Sequence, residues 1–387
     1  MNSAPLNWAP PSPAPLNSGL GRVIVVGGGV LGAMHAVAAR RRGLEVVHLE
    51  RELGPRGASV RNFGLVWVSG RAGGPELDLA LRARQLWADL AAEVPGVGFG
   101  PHGSLTLAAG DAEMSLIKEA AARPDAAERG FELLDAASAR EVNPALRGEF
   151  TGALLCRRDA IVEPRAVPAA LRAHLLASGG YRWLPGREAV EAQPYAVRDH
   201  TGEWHRGDLV VICSGAACTG IAGPHLAACP VPPLRRVRLQ MMQTRPFPGR
   251  VATAVADGDS MRYYPAFGLP GRAQLGPQAP AAARTRAQLL LVQRLDGSLT
   301  IGDTHEYDEP FGFDLDEDAY DHLRDRAQQL LGTPLPPAQR RWAGVYSQVT
   351  GDELYYRSPI EPGVVLVTGP GGRGMTCSPA IAEETFA

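Results

Sequence analysis

The chain has 387 residues, a net charge of -2 at pH 7, 45% hydrophobic residues and 21% charged residues. That is enough chain to bury a large core in more than one module, and the balanced charge gives no reason to expect nucleic acid or an anionic membrane as partner. A small-molecule ligand is the expectation, and 45 glycines with 33 prolines, well above average usage, predict many tight turns.

Residues 1–20, rich in proline and small polar residues, lack the basic and apolar regions of a secretory leader and are read as a disordered tail. No apolar run approaches the ~18 residues that span a bilayer. Residues 22–50, "RVIVVGGGVLGAMHAVAARRRGLEVVHLE", divide into a buried strand at Val23–Val26, a helix from Ala33 to Arg42 stopped by Gly43, and a second buried strand at Leu44–Leu49 ending in Glu50. Gly27, Gly29 and Gly32 fall at G-x-G-x-x-G spacing between strand and helix. Such a turn sets backbone N–H groups and the positive end of a helix dipole beside a pyrophosphate, while Glu50 accepts hydrogen bonds from a ribose. The segment predicts dinucleotide binding.

Leu77–Leu90 carries Leu77, Ala80, Leu81, Leu86 and Leu90 at helical spacing, and "VGFGPHGSLTLAAG" after it alternates as a strand. Residues 96–150 interrupt the nucleotide-binding pattern until "VEPRAVPAALRAHLLASGG" restores a helix ended by Gly179 and Gly180. "DLVVICSGA" (208–216) is a strand closed by Ser214-Gly215, and residues 226–334 interrupt again with the β-like run "RVRLQMMQTR" and a hairpin turning at Asp296-Gly297. Residues 266–288 read as a long loop. Val364–Thr368 then enters a turn with four glycines between Gly369 and Gly374, before a closing helix from about Ser378 that frays at its end.

Three strands ending in small-residue turns predict one sheet assembled from distant segments, with ligand along its carboxyl edge. A nicotinamide enzyme satisfies the first motif equally, but its domain normally finishes in one stretch, whereas a buried flavin needs the chain to return. The division expected is an α/β, Rossmann-like module from 21–95, 151–225 and 335–387, interleaved with an antiparallel-sheet substrate module from 96–150 and 226–334. Cys156, Cys213, Cys218, Cys229 and Cys377 show neither metal-site nor disulfide spacing, so buried reduced thiols in a cytoplasmic protein are expected, with no metal.

On "GASVRNFGLVW" (57–67), "RLQMMQTRP" (238–246), "IGDTHEY" (301–307), "RWAGVY" (341–346) and "GGRGMTCSPAIAEE" (371–384), the chain resembles the D-amino-acid-oxidase-like family of FAD-dependent oxidoreductases, which includes glycine and sarcosine oxidases. Within it the chain is most similar to a subgroup proposed to oxidise aminophosphonates. The resemblance implies non-covalent FAD held by Gly27, Gly29, Val30, Leu31, Gly32, Glu50 and Arg51. It adds Ser59 and Arg61, Asn62, Phe63, Gly64 and Leu65 along the pyrophosphate and ring, the backbone of Val190 at the adenine, and Ser214 with Gly215. It also places the backbone of Gly372, Arg373, Gly374, Met375 and Thr376, at a helix N-terminus, against the flavin pyrimidine edge, where reduced flavin carries negative charge.

The activity implied is oxidation of a small amine to an imine that hydrolyses, with oxygen or a carrier as electron acceptor; the alternatives are a glycine or D-amino-acid oxidase or dehydrogenase, and a non-catalytic FAD-binding electron-transfer protein. In "SMRYYPAFG" a strand would turn Arg262 and Tyr264 the same way, as a substrate pair or as a solvated arginine beside core tyrosines. His305, next to Glu306, is either an anion ligand or a satisfied structural histidine. Glycine-oxidase-like members carry a carboxylate-binding arginine where Tyr346 stands, which counts against a simple amino-acid substrate.

Overall fold

The computed structural model describes residues 21–387, so the tail reading of residues 1–20 lies outside it. Strand β1 (Arg22–Val26) runs parallel between β2 (Glu45–Glu50) and the strand Leu209–Ile212. The six-stranded sheet continues through Tyr181–Pro185 beyond β2 and through Val364–Thr368 beyond Leu209–Ile212, with Tyr356–Glu361 antiparallel at the edge. The three glycine-ended strands predicted from distant segments thus lie side by side, and their turns share one edge.

Side chains alternate along β1. Val23 and Val25 enter a core with helix α1 (Val30–Arg41), the helix Val167–Ala177 and the C-terminal helix Gly374–Thr385, whereas Ile24 faces a small three-stranded sheet spanning residues 189–206. Both faces are covered, which is why the strands are apolar without a break. The C-terminal helix begins four residues before the predicted Ser378, and Phe386 at its end is buried in the α1 core rather than frayed.

The second layer is an eight-stranded, mostly antiparallel sheet. Its longest strands, Leu234–Pro246 and Ala338–Val349, pair along nearly their whole length, and Leu290–Gln293 and Ser298–Gly302 form the predicted hairpin, with Gly297 at φ +81°. Two boundaries move. Gly152–Cys156 pairs antiparallel with Ser104–Ala108, and Ala338–Val349 belongs to this sheet, so its territory reaches to about 156 and about 349, beyond the expected 150 and 334. In both cases a strand partner lies inside the insertion, and ladder bonding keeps the segment with its partner. Residues 266–288, expected to be a loop, hold two 3-10 turns and a short helix at Pro280–Thr285. No described helix is long and apolar enough to cross a membrane.

Helix α2 (Pro75–Glu93) fixes the start of the C-terminal helix. Pro75 and the acidic Glu76 and Asp78 suit its first turn. Leu77, Ala80, Ala83, Trp87 and Leu90 form its buried face, while Leu81 and Leu86 of the predicted stripe are only partly covered because Trp87 takes their place. Pro379 lies inside the C-terminal helix and has no N–H for the carbonyl four residues earlier, Met375. The Trp87 indole N–H donates to that carbonyl at 3.0 Å. Trp87→Phe loses the indole N–H and part of the ring volume, leaving a buried acceptor unpaired and a small void, so it should lower stability by about 2–4 kcal/mol, read as the shift in the denaturant midpoint against the parent.

Candidate functional site

The first glycine turn is built by close backbone approach. Gly27 adopts φ +102°, and a Cβ there would lie 2.3 Å from the Cys213 carbonyl; one on Gly32 would lie 1.9 Å from the Gly27 carbonyl. Packing therefore requires glycine at both. Gly29 differs, since a Cβ there would meet only the Ser59 hydroxyl, at 3.0 Å. That hydroxyl accepts from the Val30 N–H at 2.9 Å, and Glu50 accepts from the Gly28 N–H at 2.6 Å. Beneath the turn the His48 Nε2–H donates to the Gly27 carbonyl at 3.0 Å, leaving Nδ1 to accept from the Tyr181 hydroxyl at 3.0 Å.

From this turn a cavity of about 1110 Å³ runs to the eight-stranded sheet, somewhat larger than the roughly 300–1,000 Å³ of ordinary ligand pockets. Its wall takes in Gly27, Gly29–Gly32, Glu50, Arg51, Ser59, Arg61, Asn62, Phe63 and Leu65. It continues over Ser214 and Gly215 and over Gly372–Met375. Ser214 Oγ is buried without a hydrogen-bond partner.

Three predicted contacts lie off the wall. Gly64, at φ +68°, serves a turn in which a Cβ would strike the Val162 carbonyl. The Val190 side chain is 42% exposed because strand alternation turns its buried neighbour Ala189 inward, which leaves the expected backbone contact of Val190 beside the wall formed by residues 187–189. Thr376 faces inward: its hydroxyl accepts from the Trp67 N–H at 2.9 Å and donates to the Leu65 carbonyl at 3.2 Å.

Where the C-terminal helix opens onto the cavity, Gly372 has empty space where a Cβ would be. Two arginines on the wall, Arg71 and Arg373, share one carboxylate: Glu76 lies 3.7 Å from the first and 3.1 Å from the second. One positive charge remains over, next to the positive helix end. The sequence reading missed Arg71 and Glu76, which stand in no glycine turn.

At the other end Arg262, Tyr264, His305 and Tyr346 all line the cavity, but "SMRYYPAFG" is not a strand. Residues Gly258–Tyr263 form a short helix capped by Asp257, whose carboxylate accepts from the Asp259 N–H. Helical geometry turns Arg262 toward Asp259, at 3.2 Å, and the Gly276 carbonyl, at 2.5 Å. Tyr263, not foreseen as a wall residue, stacks on His305 at 4.0 Å between ring centroids, and its hydroxyl lies 3.5 Å from that of Tyr346. Burial pushes both phenols up, so they stay protonated. His305 Nδ1–H donates to the Arg286 carbonyl at 3.2 Å, while Glu306 is occupied by Arg238 at 2.9 Å. Asp303 and Gln288 complete this wall. Asp303 lies in the quoted "IGDTHEY", where the histidine drew the attention.

Of the five free thiols, Cys156, Cys213 and Cys377 are buried and Cys218 and Cys229 only half-buried; Cys213 lines the cavity and Cys377 does not. Burial holds the His48 and His35 rings neutral, lowering each to about 4. The unfolded chain protonates them near 6.5, so both states are neutral above that pH, and the folded state loses stability as pH falls from 6.5 toward 4. The loss should be on the order of 3 kcal/mol per ring at most, and His48→Gln should flatten part of that slope in unfolding measured between pH 4 and 7.

Known proteins resemble the chain over most of its length. The profile of the FAD dependent oxidoreductase family (DAO) matches residues 22–387. Solved structures of similar fold include glycine oxidase from Geobacillus kaustophilus (TM-score 0.74, 21% identity, 94% of each chain). L-proline dehydrogenase from P. horikoshii gives a TM-score of 0.76 at 19% identity, over 94% of this chain and 91% of that one. A curated relative, the tRNA 5-methylaminomethyl-2-thiouridine biosynthesis bifunctional protein MnmC of Caulobacter sp. (strain K31), is 29% identical over 95% of this chain and 54% of its own length. The chain thus spans about half of that relative. A phosphate-type glycine turn on a parallel sheet, a cavity continuing under a second sheet and a profile match to the last residue place the chain in the family of FAD dependent oxidoreductases.

Proposed function

We propose that the protein oxidises the C–N bond of a small primary or secondary amine bearing an anionic end, most specifically an aminophosphonate, to an imine that water then hydrolyses. The observation that carries this reading is the single cavity running from the dinucleotide turn to a wall of phenols, arginines and one buried carboxylate. Relatives of this fold include glycine oxidase, L-proline dehydrogenase and an iminodiacetate oxidase from Chelativorans sp. BNC1 (TM-score 0.73, 20% identity). The aminophosphonate refinement rests on the sequence stretches quoted above and on a tyrosine at position 346.

The residues fit FAD. Gly29 and Gly372 leave room where side chains would intrude, and the orphaned Ser214 hydroxyl lines the same wall. Glu50 stands at the end of β2 for a ribose, Ser59 and the α1 N-terminus for the pyrophosphate, and the C-terminal helix end with Arg71 and Arg373 for the ring's pyrimidine edge. Bound FAD supplies a two-electron acceptor for the amine carbon. Attachment is non-covalent: burial pushes the Cys377 thiol up to about 11 and the Cys213 thiol higher, so neither is a nucleophilic thiolate. The tyrosine walls exclude water from the reacting carbon, and Arg262, with part of its fork turned to Asp259, is the cation offered to the substrate's anion.

Purified protein should be yellow and release FAD on denaturation; Gly29→Val should lose the flavin because its branches would fill the pyrophosphate volume, and a colourless parent that gains no thermal stability from added FAD would count against the reading. Arg262→Ala should raise KM roughly ten- to hundredfold, about 1.4–2.7 kcal/mol, less than a fully unpaired cation would give because Asp259 already shares it. FAD content should not change. The check is an anaerobic screen of aminophosphonates, glycine, sarcosine and D-alanine by flavin bleaching, and preference for the plain amino acids would favour the glycine-oxidase-like alternative.

A further inference from the structure

Buried carboxylates in this fold are normally saturated with donors. Asp159 accepts from the Val68 and Ser69 N–H groups and the Ser104 hydroxyl, and Asp257 accepts from two N–H groups and from Arg326. Asp303 differs. It is 5% exposed, yet its side chain accepts one hydrogen bond, from Gln288 Nε2 to Oδ1 at 3.1 Å. The two residues oppose each other at the end of the hairpin and exchange both backbone bonds, at 3.0 and 2.8 Å, so the pair is rigidly placed.

Two acceptors on this pair remain open where it lines the cavity. Gln288 Oε1 is buried without a partner. Asp303 Oδ2 has no hydrogen-bond partner, and the nearest ring nitrogen, His305 Nε2, lies 3.9 Å away, beyond hydrogen-bond distance. The other ionisable groups facing this point are the phenols of Tyr263, Tyr264, Tyr307 and Tyr346, with Arg71 behind Tyr263 and Tyr264. An amine arriving at neutral pH is an ammonium, with N–H donors for both open acceptors and a charge that requires a counter-ion once out of water.

We propose that Asp303, held by Gln288, binds the substrate ammonium and takes one of its protons. One N–H bond breaks and an O–H bond forms on the Asp303 carboxylate; the nitrogen keeps the electron pair and no electrons are transferred in this step. The proton returns to solvent when product leaves. Burial, which pushes the Asp303 carboxyl up, brings its basicity closer to that of the amine and eases the transfer. The inference rests on the amine reading of the preceding subsection.

The test uses the FAD-loaded protein and the best amine of the screen, mixed anaerobically from pH 6 to 9. The parent's flavin reduction rate divided by substrate Kd should vary less than threefold over this range. Asp303→Asn should keep its FAD, fall about 100-fold at pH 7, and climb nearly tenfold per pH unit because it must wait for free amine. Parental rates and profile in Asp303→Asn would overturn the proposal.

A second measurement needs no variant to fold. At pH 8, calorimetry of parent protein with 2-amino-2-methylpropylphosphonate and 2-aminoisobutyrate, whose amino carbons have no hydrogen to lose, in buffers of different ionisation enthalpy should show no net proton release on binding. Release of about one proton per bound probe, or no binding of either, overturns the assignment. A parent flavin that no amine bleaches would instead bring down the amine reading, and this inference with it.

Discussion

The cavity exists because the Gly27 carbonyl can sit where a side chain on residue 32 would otherwise be, under 2 Å from an added Cβ. That approach lets α1 start directly above β1, and His48 holds the same carbonyl from below with a ring that burial keeps neutral. Any bulk at residue 32 would push the helix off the strand, and with it the N–H groups offered to a phosphate. Ser59 and Glu50, each bonded to an N–H of the turn, are positioned by it rather than the reverse.

The second layer depends on the first through the C-terminal helix. Its proline would leave a carbonyl stranded if Trp87 did not reach it, and its opening turn brings Arg71, Arg373 and Glu76 together from two remote parts of the chain. Ser347, on the longest ladder of the eight-stranded sheet, donates to the Gly215 carbonyl at 2.6 Å. The two sheets are thus joined beside the cavity, and the aromatic wall is held at a fixed distance from the glycine turns.

The nucleotide side was legible because its signals are local: apolar runs followed by glycines announce strand and turn within a dozen residues. On the substrate side the sequence pointed to wall residues but not to their arrangement. Arg262 and Tyr264 alternate as a strand would, but Asp257 caps a helix there and turns the arginine to Asp259. Asp303 and Gln288 become a pair only through hairpin register, and Arg71 with Glu76 only through the return of the last helix; no short window of sequence carries either relation. The shifted boundaries at 156 and 349 have the same origin, since a strand belongs to whichever partner bonds it.

The order of strands also bears on how the chain acquires its shape. Val23 pairs with Leu209, and Val210 with Val364, so the central sheet joins stretches separated by most of the polypeptide. Four of its six strands, Arg22–Val26, Glu45–Glu50, Tyr181–Pro185 and Leu209–Ile212, pair among themselves, whereas Tyr356–Glu361, Val364–Thr368 and the helix Gly374–Thr385 join them only across a long intervening stretch. The entropy of closing such long loops falls on the nucleotide side, while the hairpin at 290–302 and the pairing of 104–108 with 152–156 form between near neighbours. Both layers are therefore closed by the same late stretch, Ala338–Val349 for the second and Val364–Thr368 for the first, and until it docks the apolar edge of Leu209–Ile212 is open to chaperones or to aggregation.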